Sequence, residues 1–204
     1  MSTNLNIRVI SNLTDTQQFL LYQEDIKLNV KNFKIGAWEH QYLAPKATFF
    51  ATLPTRIAVR AKTSLGKGTV ETKEIEVDYN TAWDIFENKN AVDIGPSTGE
   101  VSGLDTIDVY NKCPSTKFAI VTKDSKPLFA CEVRPNFKVN FSIHPKIFLA
   151  ISDLEIHGDF FDAATISAKY AVEYEGQDYL TFYLNENTST GEILISHDFN
   201  KFDI

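Results

Sequence analysis

The chain has 204 residues, 43 % of them hydrophobic, and a net charge of −7 from 27 acidic and 20 basic side chains. That is enough apolar material for one well-buried core, and the 23 % charged fraction is that of a folded chain rather than a disordered one. With Lys and Arg scattered singly, no basic face exists to displace counterions from a phosphate backbone, so nucleic acid is excluded as a partner and anionic membrane surfaces are disfavoured.

The N-terminal stretch MSTNLNIRVI has neither a basic segment nor an apolar run after it. The expected location is therefore cytoplasmic, or outside the cell by release without a classical signal peptide. No apolar run approaches the ~20 residues that span a bilayer, so no transmembrane segment is expected. Without a secretory signal, the sequons headed by Asn12, Asn140 and Asn187 read as chance matches.

Period-2 alternation dominates from the start. Strands are expected at 5–10, 18–23, 55–63, 68–80, 116–121, 128–133, 137–143, 147–151, 165–174, 179–185 and 192–196, all rich in Val, Ile, Phe, Tyr and Thr. SNLTDT, SLGKG, TKDSK, RPN, EGQD and NENTSTG supply turn chemistry between them. One short helix is predicted at 80–90, capped by Asn80 or Thr81, and a further turn at HPKIF. Residues 91–106, rich in Gly, Ser and Pro, read as a long irregular loop suited to binding. Phe199, Phe202 and Ile204 keep the end apolar, which implies a docking tail over 197–204. No repeat at a fixed period is visible. Strands at this spacing with short turns predict a single all-β domain over 1–204: a two-sheet β-sandwich of jelly-roll type with at most one or two short helices.

Cys131 alternates with Phe129 and Val133 on one strand face, as an inert buried thiol does, and Cys113 falls in a loop. Two lone cysteines are no disulfide framework, and a bridge between them stays open. In KIGAWEHQYLAPKATFFATL (34–53), Trp38, Glu39 and His40 stand together. Neighbouring strand residues point to opposite faces, so Glu39 and His40 do not converge as an acid–base pair. LAPKA reads as the turn between two strands, with Trp38, Phe49 and Phe50 anchoring the corner.

His157, Asp159 and the later His197 have the order of the two-histidine, one-carboxylate set that holds Fe(II) on a jelly roll. No arginine follows Arg134 to hold a co-substrate carboxylate, and "EIHGDFFD" equally makes a plain turn around Gly158. The sequence has no GxSxG elbow and no P-loop spacing, since SLGKGT is a glycine turn. Trp38, Tyr42, Trp83 and Tyr110 are the aromatics proposed to stack on a sugar or anchor an interface.

Residues 11–53, SNLTDTQQFLLYQED followed by IGAWEHQYLAPKATFFATL, resemble the opening of small, poorly characterised all-β proteins of bacteria and fungi. Those share an Asn/Thr-rich hairpin, a Phe-x-Leu-Tyr-Gln strand and an Ala-Trp turn, matched here by Phe19, Leu21, Tyr22, Gln23, Ala37, Trp38 and Pro45. The resemblance implies a β-domain that is not an enzyme. The expected function is accordingly a non-catalytic, self-associating structural protein, a homo-oligomer or filament built through strand edges and terminal segments. The alternatives are a lectin-like or toxin-like module that binds a glycan or surface and, third, a jelly-roll iron enzyme. No cofactor is expected.

Overall fold

A computed structural model describes residues 4–24, 33–64, 68–89, 91–152, 160–161 and 169–203. Alternation of apolar and polar side chains is realised directly in β1 (Leu5–Asn12), whose Leu5, Ile7, Val9 and Ser11 are buried while their neighbours are not. β2 (Gln17–Tyr22) is buried on both faces, as its unbroken FLLY run requires. β3 (Phe33–Gly36), β4 (Glu39–Leu43), β5 (Thr48–Leu53), β6 (Ile57–Lys62), β7 (Ile75–Val77), β8 (Thr81–Asn88) and β9 (Ala91–Pro96) follow. Then come β10 (Thr106–Asn111), β11 (Lys117–Lys123), β12 (Lys126–Val133), β13 (Lys138–Ser142), β14 (Lys146–Ile151) and β15 (Phe160–Phe161). β16 (Tyr170–Glu173), β17 (Tyr179–Glu186) and β18 (Ile193–Asp198) complete the set, and no helix occurs among the described residues.

The protein is all-β and of the sandwich class, with its strands hydrogen-bonded as four sheets rather than two. Their orders are β18-β17-β1-β5, β13-β10-β8-β9, β15-β3-β12-β11-β6-β7 and β16-β14-β2-β4.

The helix expected at 80–90 is instead strand β8, paired with β10 on one side and β9 on the other. Ala82, Trp83, Ile85 and Phe86 satisfy a helical or an extended spacing equally, and tertiary pairing decides between them. The expected cap Asn80 sits in a left-handed turn, φ 61°, its amide donating to the Thr106 carbonyl at 2.8 Å. HPKIF runs into strand β14 at Lys146 rather than forming a further turn. The loop expected at 91–106 is likewise strand over Ala91–Pro96, which leaves 97–105 irregular. The expected strand 68–80 contracts to Ile75–Val77 and one bridge from Glu71 to Lys62. Cys113 and Cys131 are both buried, and no disulfide joins them.

A repeat is present after all. β1, β2 and β4–β9 correspond in order to β10–β14 and β16–β18, and every pairing recurs. β1 lies parallel to β17 and antiparallel to β5, as β10 lies parallel to β8 and antiparallel to β13. β2 between β14 and β4 matches β11 between β6 and β12. The register makes the match residue by residue: Ile7 with Ile107, Val9 with Val109, Leu53 with Ile143, and Val59 with Leu149. All eight are at most 6 % exposed and face one core cluster. Full burial of each such side chain contributes about 1.5–3 kcal/mol.

The turns repeat too. Lys46 and Asn136, each after a proline, adopt φ 60° and 63°, and the amides of Ala47 and Phe137 each donate three residues back at 3.1 Å. β3 and β15 have no counterpart and only extend one sheet.

Each sheet takes strands from both halves, so neither half can complete a sheet alone. The 97–105 connection between them is pinned by Asp108, fully buried on β10. Asp108 accepts hydrogen bonds from the Ser102 amide, from the Ser102 hydroxyl at 2.9 Å and from Asn140 at 2.9 Å. The residue in the equivalent position on β1 is Arg8, whose guanidinium lies 4.4 Å from the centre of the Phe202 ring. Phe202 is 7 % exposed and also meets Tyr179 and Phe50.

If the halves interlock, cutting a protease site inserted at Gly103, whose surroundings are open, leaves the two pieces associated. Gel filtration and the circular dichroism spectrum should be unchanged after the cut. Separation into two folded pieces would contradict the topology.

Candidate functional site

The four aromatics singled out by sequence lie in different surroundings. Trp38 is 3 % exposed within the main core, with the Lys126 ammonium 5.3 Å from its ring centre and Lys126 paired to Glu39. His40, next along β4, is exposed on the other face, so Glu39 and His40 diverge. Tyr42 is exposed on the same strand, at the edge of its sheet.

Trp83 and Tyr110 occupy neighbouring strands, but the register sets Trp83 beside Val109, so the two rings lie on opposite faces. Trp83 donates its indole N–H to Thr81 at 3.0 Å. Tyr110 donates to the Glu100 carbonyl at 2.7 Å, with Lys112 and Lys138 about its ring at 5.1 and 5.2 Å. A side chain at Gly99 would collide with this ring, so glycine lets the 97–105 connection close over it. Tyr110 thereby helps Asp108 to hold the connection in place.

His157 and Asp159 lie outside the described residues. His197 is on β18, with Nδ1 2.8 Å from the Tyr170 hydroxyl and its ring against Phe199. Among the described residues, no group of three His, Cys, Asp or Glu side chains could hold a metal ion.

A different place assembles polar groups. Between the halves lies a cavity of about 290 Å³. Its lining includes equivalent residues from both: Leu53 with Ile143, Tyr79 with Tyr174, and Leu5 with Asp105. The deep polar group is Lys123 at the end of β11, 4 % exposed. The register of β11 against β12 shifts between Val121, opposite Phe129, and Thr122, opposite Pro127, which makes Leu128 the extra residue of a bulge on β12. Thr122 and Lys123 are both buried because β11, like β2, is covered on both faces, with Ala119, Ile120 and Val121 buried before them.

The equivalent of Lys123 is Gln23, the last residue of the FLLYQ stretch. Its amide nitrogen donates to the carbonyls of His144 at 3.0 Å and Lys146 at 3.2 Å, and to the Tyr174 hydroxyl at 3.1 Å. Lys123 has no such partner: among the described residues no ion pair or hydrogen bond reaches its ammonium group. Burial alone therefore pushes its pKa down to about 8.

The groups facing the same cavity are Tyr79, Asp105, His144, Tyr174 and Glu175. Burial, and then the Asp105 charge, push Tyr79 up to about 12. Burial also raises Tyr174 to about 12, with Tyr79 adding to the rise and the Gln23 hydrogen bond opposing it. Asp105 and Glu175 are solvent-exposed.

Sequence reasoning missed Lys123 because TKDSK reads as turn chemistry, where a lysine belongs in water. Setting residues 7–24 above 107–124 would have found it, because that places Lys123 opposite a glutamine that ends a buried strand.

Chemically, the cavity offers one desolvated cation, two phenol hydroxyls and carboxylates in contact with solvent. This is an all-β scaffold of two interlocked repeats with a polar cavity at their seam. A family model described as RhiA matches residues 2–192, and the chain belongs to the RhiA family. Neither the curated proteins nor the solved structures returned a match.

A buried charge without a partner costs stability. The displacement of Lys123 from 10.5 to about 8 corresponds to about 3 kcal/mol, at roughly 1.4 kcal/mol per unit. Below pH 8 the folded state bears the whole cost. As pH rises from 8 to 10.5 the folded lysine loses its proton first, so the unfolded chain binds more protons and relative stability increases. Lys123→Met should therefore be more stable than wild type at pH 7 by about 3 kcal/mol. Urea titrations should show that gap closing between pH 8 and 10.5.

Proposed function

We propose that this protein is a non-catalytic binding module, and that the cavity at the seam takes a small organic anion through Lys123. The observation that carries the reading is the unpaired, buried ammonium group beside open volume. Structural need does not account for it, because Gln23 fills the equivalent place with a neutral, hydrogen-bonded amide. An incoming anion would restore the electrostatic stabilisation that Lys123 lost on leaving water. This narrows the binding reading of the sequence from exposed aromatics to a half-open cavity with a lysine at its base.

Calorimetry and ligand-detected NMR with small carboxylates test it. Wild type should bind at millimolar concentration or better, and Lys123→Gln, which copies the residue of the other half, should weaken binding at least tenfold. Affinity should fall about tenfold per pH unit above 8, as the ammonium loses its proton. A folded Lys123→Gln protein with unchanged affinity would refute the reading.

Self-association is the second reading, favoured by three large exposed apolar residues that sit on edge strands. Tyr42 (73 % exposed) is on β4, Phe50 (47 %) on β5 and Leu194 (48 %) on β18. Among the described residues each of these strands is the outermost of its sheet, where a further strand can add. Light scattering across a concentration series should then show a species heavier than 23.0 kDa, and Tyr42→Lys should reduce it. A strict monomer at high concentration would exclude this reading.

A further inference from the structure

The charges around the cavity are sorted by depth. Lys123 is 4 % exposed, whereas Asp105 and Glu175, which also line the cavity, face solvent. The positive and negative poles do not neutralise one another. Only burial displaces the Lys123 proton equilibrium, while the charge of Asp105 acts on Tyr79 instead. Two carboxylates against one ammonium give the lining a formal charge of −1, aside from His144. A dianion such as phosphate would meet two like charges on entry and a single cation inside. A simple monocarboxylate would answer the deep charge and leave the outer carboxylates unanswered.

We infer that the ligand is a zwitterion of the amino-acid type, entering carboxylate first onto Lys123 with its ammonium group held outward, toward Asp105 and Glu175. The inference rests on the reading that the cavity is a binding site. Tyr79 and Tyr174 contribute aromatic rings to the same lining, and the face of a tyrosine ring attracts an ammonium group. Their raised proton equilibria keep both phenols neutral at physiological pH, able to donate to a carboxylate or accept from an ammonium group. The volume of about 290 Å³ lies near the lower end of small-molecule sites, which span roughly 300–1,000 Å³, and leaves room for a single amino acid, large side chains included. Leu5, Leu53 and Ile143 supply an apolar wall for a short side chain.

The test compares glycine, alanine, leucine, glutamine and phenylalanine with the corresponding acids that lack the amino group, by calorimetry on the full chain. At least one amino acid should bind ten times more tightly than its deaminated partner. The double variant Asp105→Asn, Glu175→Gln should close that gap, while Lys123→Gln should weaken both members of the pair. Both outer residues are exposed, so the double variant should keep the wild-type melting profile, which is checked by circular dichroism. Equal affinity for an amino acid and its deaminated acid would overturn the zwitterion inference and leave the anion site standing. Failure of every probe, acids included, would overturn both.

Discussion

Two parallel strand pairs, β1 with β17 and β8 with β10, join the halves of this chain, and the remaining architecture follows from them. In each pair the strands come from different halves. Parallel neighbours cannot be joined by a tight turn, so the chain must travel away and return. From β1 the return to β17 spans nearly the whole chain, from β8 to β10 it runs through β9 and 97–105, and the antiparallel pairs β2 with β14 and β6 with β11 make the other two sheets shared as well. The core is shared as well: Ile7, Ile107, Val9 and Val109 face a common interior. The cavity beside Lys123 exists because two equivalent surfaces meet there without filling the space between them.

The strands were legible wherever apolar and polar residues alternate or an apolar run is short, as in LNIRVI and FLLY. Misreading began where two periods fit the same letters, as in TAWDIF, and where Gly, Ser and Pro suggested a loop although Ala91–Pro96 pairs with β8. The repeat stayed hidden for a physical reason. A β-position needs a side chain of a given character and burial, not a given identity, so Leu53 can answer Ile143 and Val59 can answer Leu149. Spacing hid it further, because the loops differ in length between the halves. The turns kept the clearest trace, in LAPKA and VRPNF, where proline is followed by a residue with positive φ. Of the cavity lining, Tyr79 stood out in the sequence as an aromatic able to stack on a sugar, and Gln23, which bonds the lining residue Tyr174, stood out in the FLLYQ motif. Burial of its counterpart Lys123 depends on packing over both faces of β11, which is not written locally.

Equivalence between the halves also identifies where they have diverged. At one such pair, Arg8 holds Phe202 while Asp108 holds Ser102, so opposite charges pin the segments that follow β18 and β9. At the other, Gln23 bonds Tyr174 and two backbone carbonyls, whereas among the described residues no hydrogen bond or ion pair reaches the Lys123 ammonium group. The first divergence keeps a structural task and changes its chemistry. The second gives up hydrogen bonds and leaves a buried charge facing the cavity.

The parallel pairing of β1 with β17 also bears on how the molecule comes to be made. Arg8 and Thr181 hydrogen-bond across 173 positions of sequence. During synthesis β1 is among the first strands to appear, yet its partner is among the last, and β8 must wait for β10. Contacts this remote in sequence are slow to form, because the closure of a long loop precedes any gain from it. A half-made chain carries apolar strands with open edges through most of its synthesis. Its yield in the cell therefore depends on how long those edges stay unpaired, a hazard of timing that the stability of the finished fold does not remove.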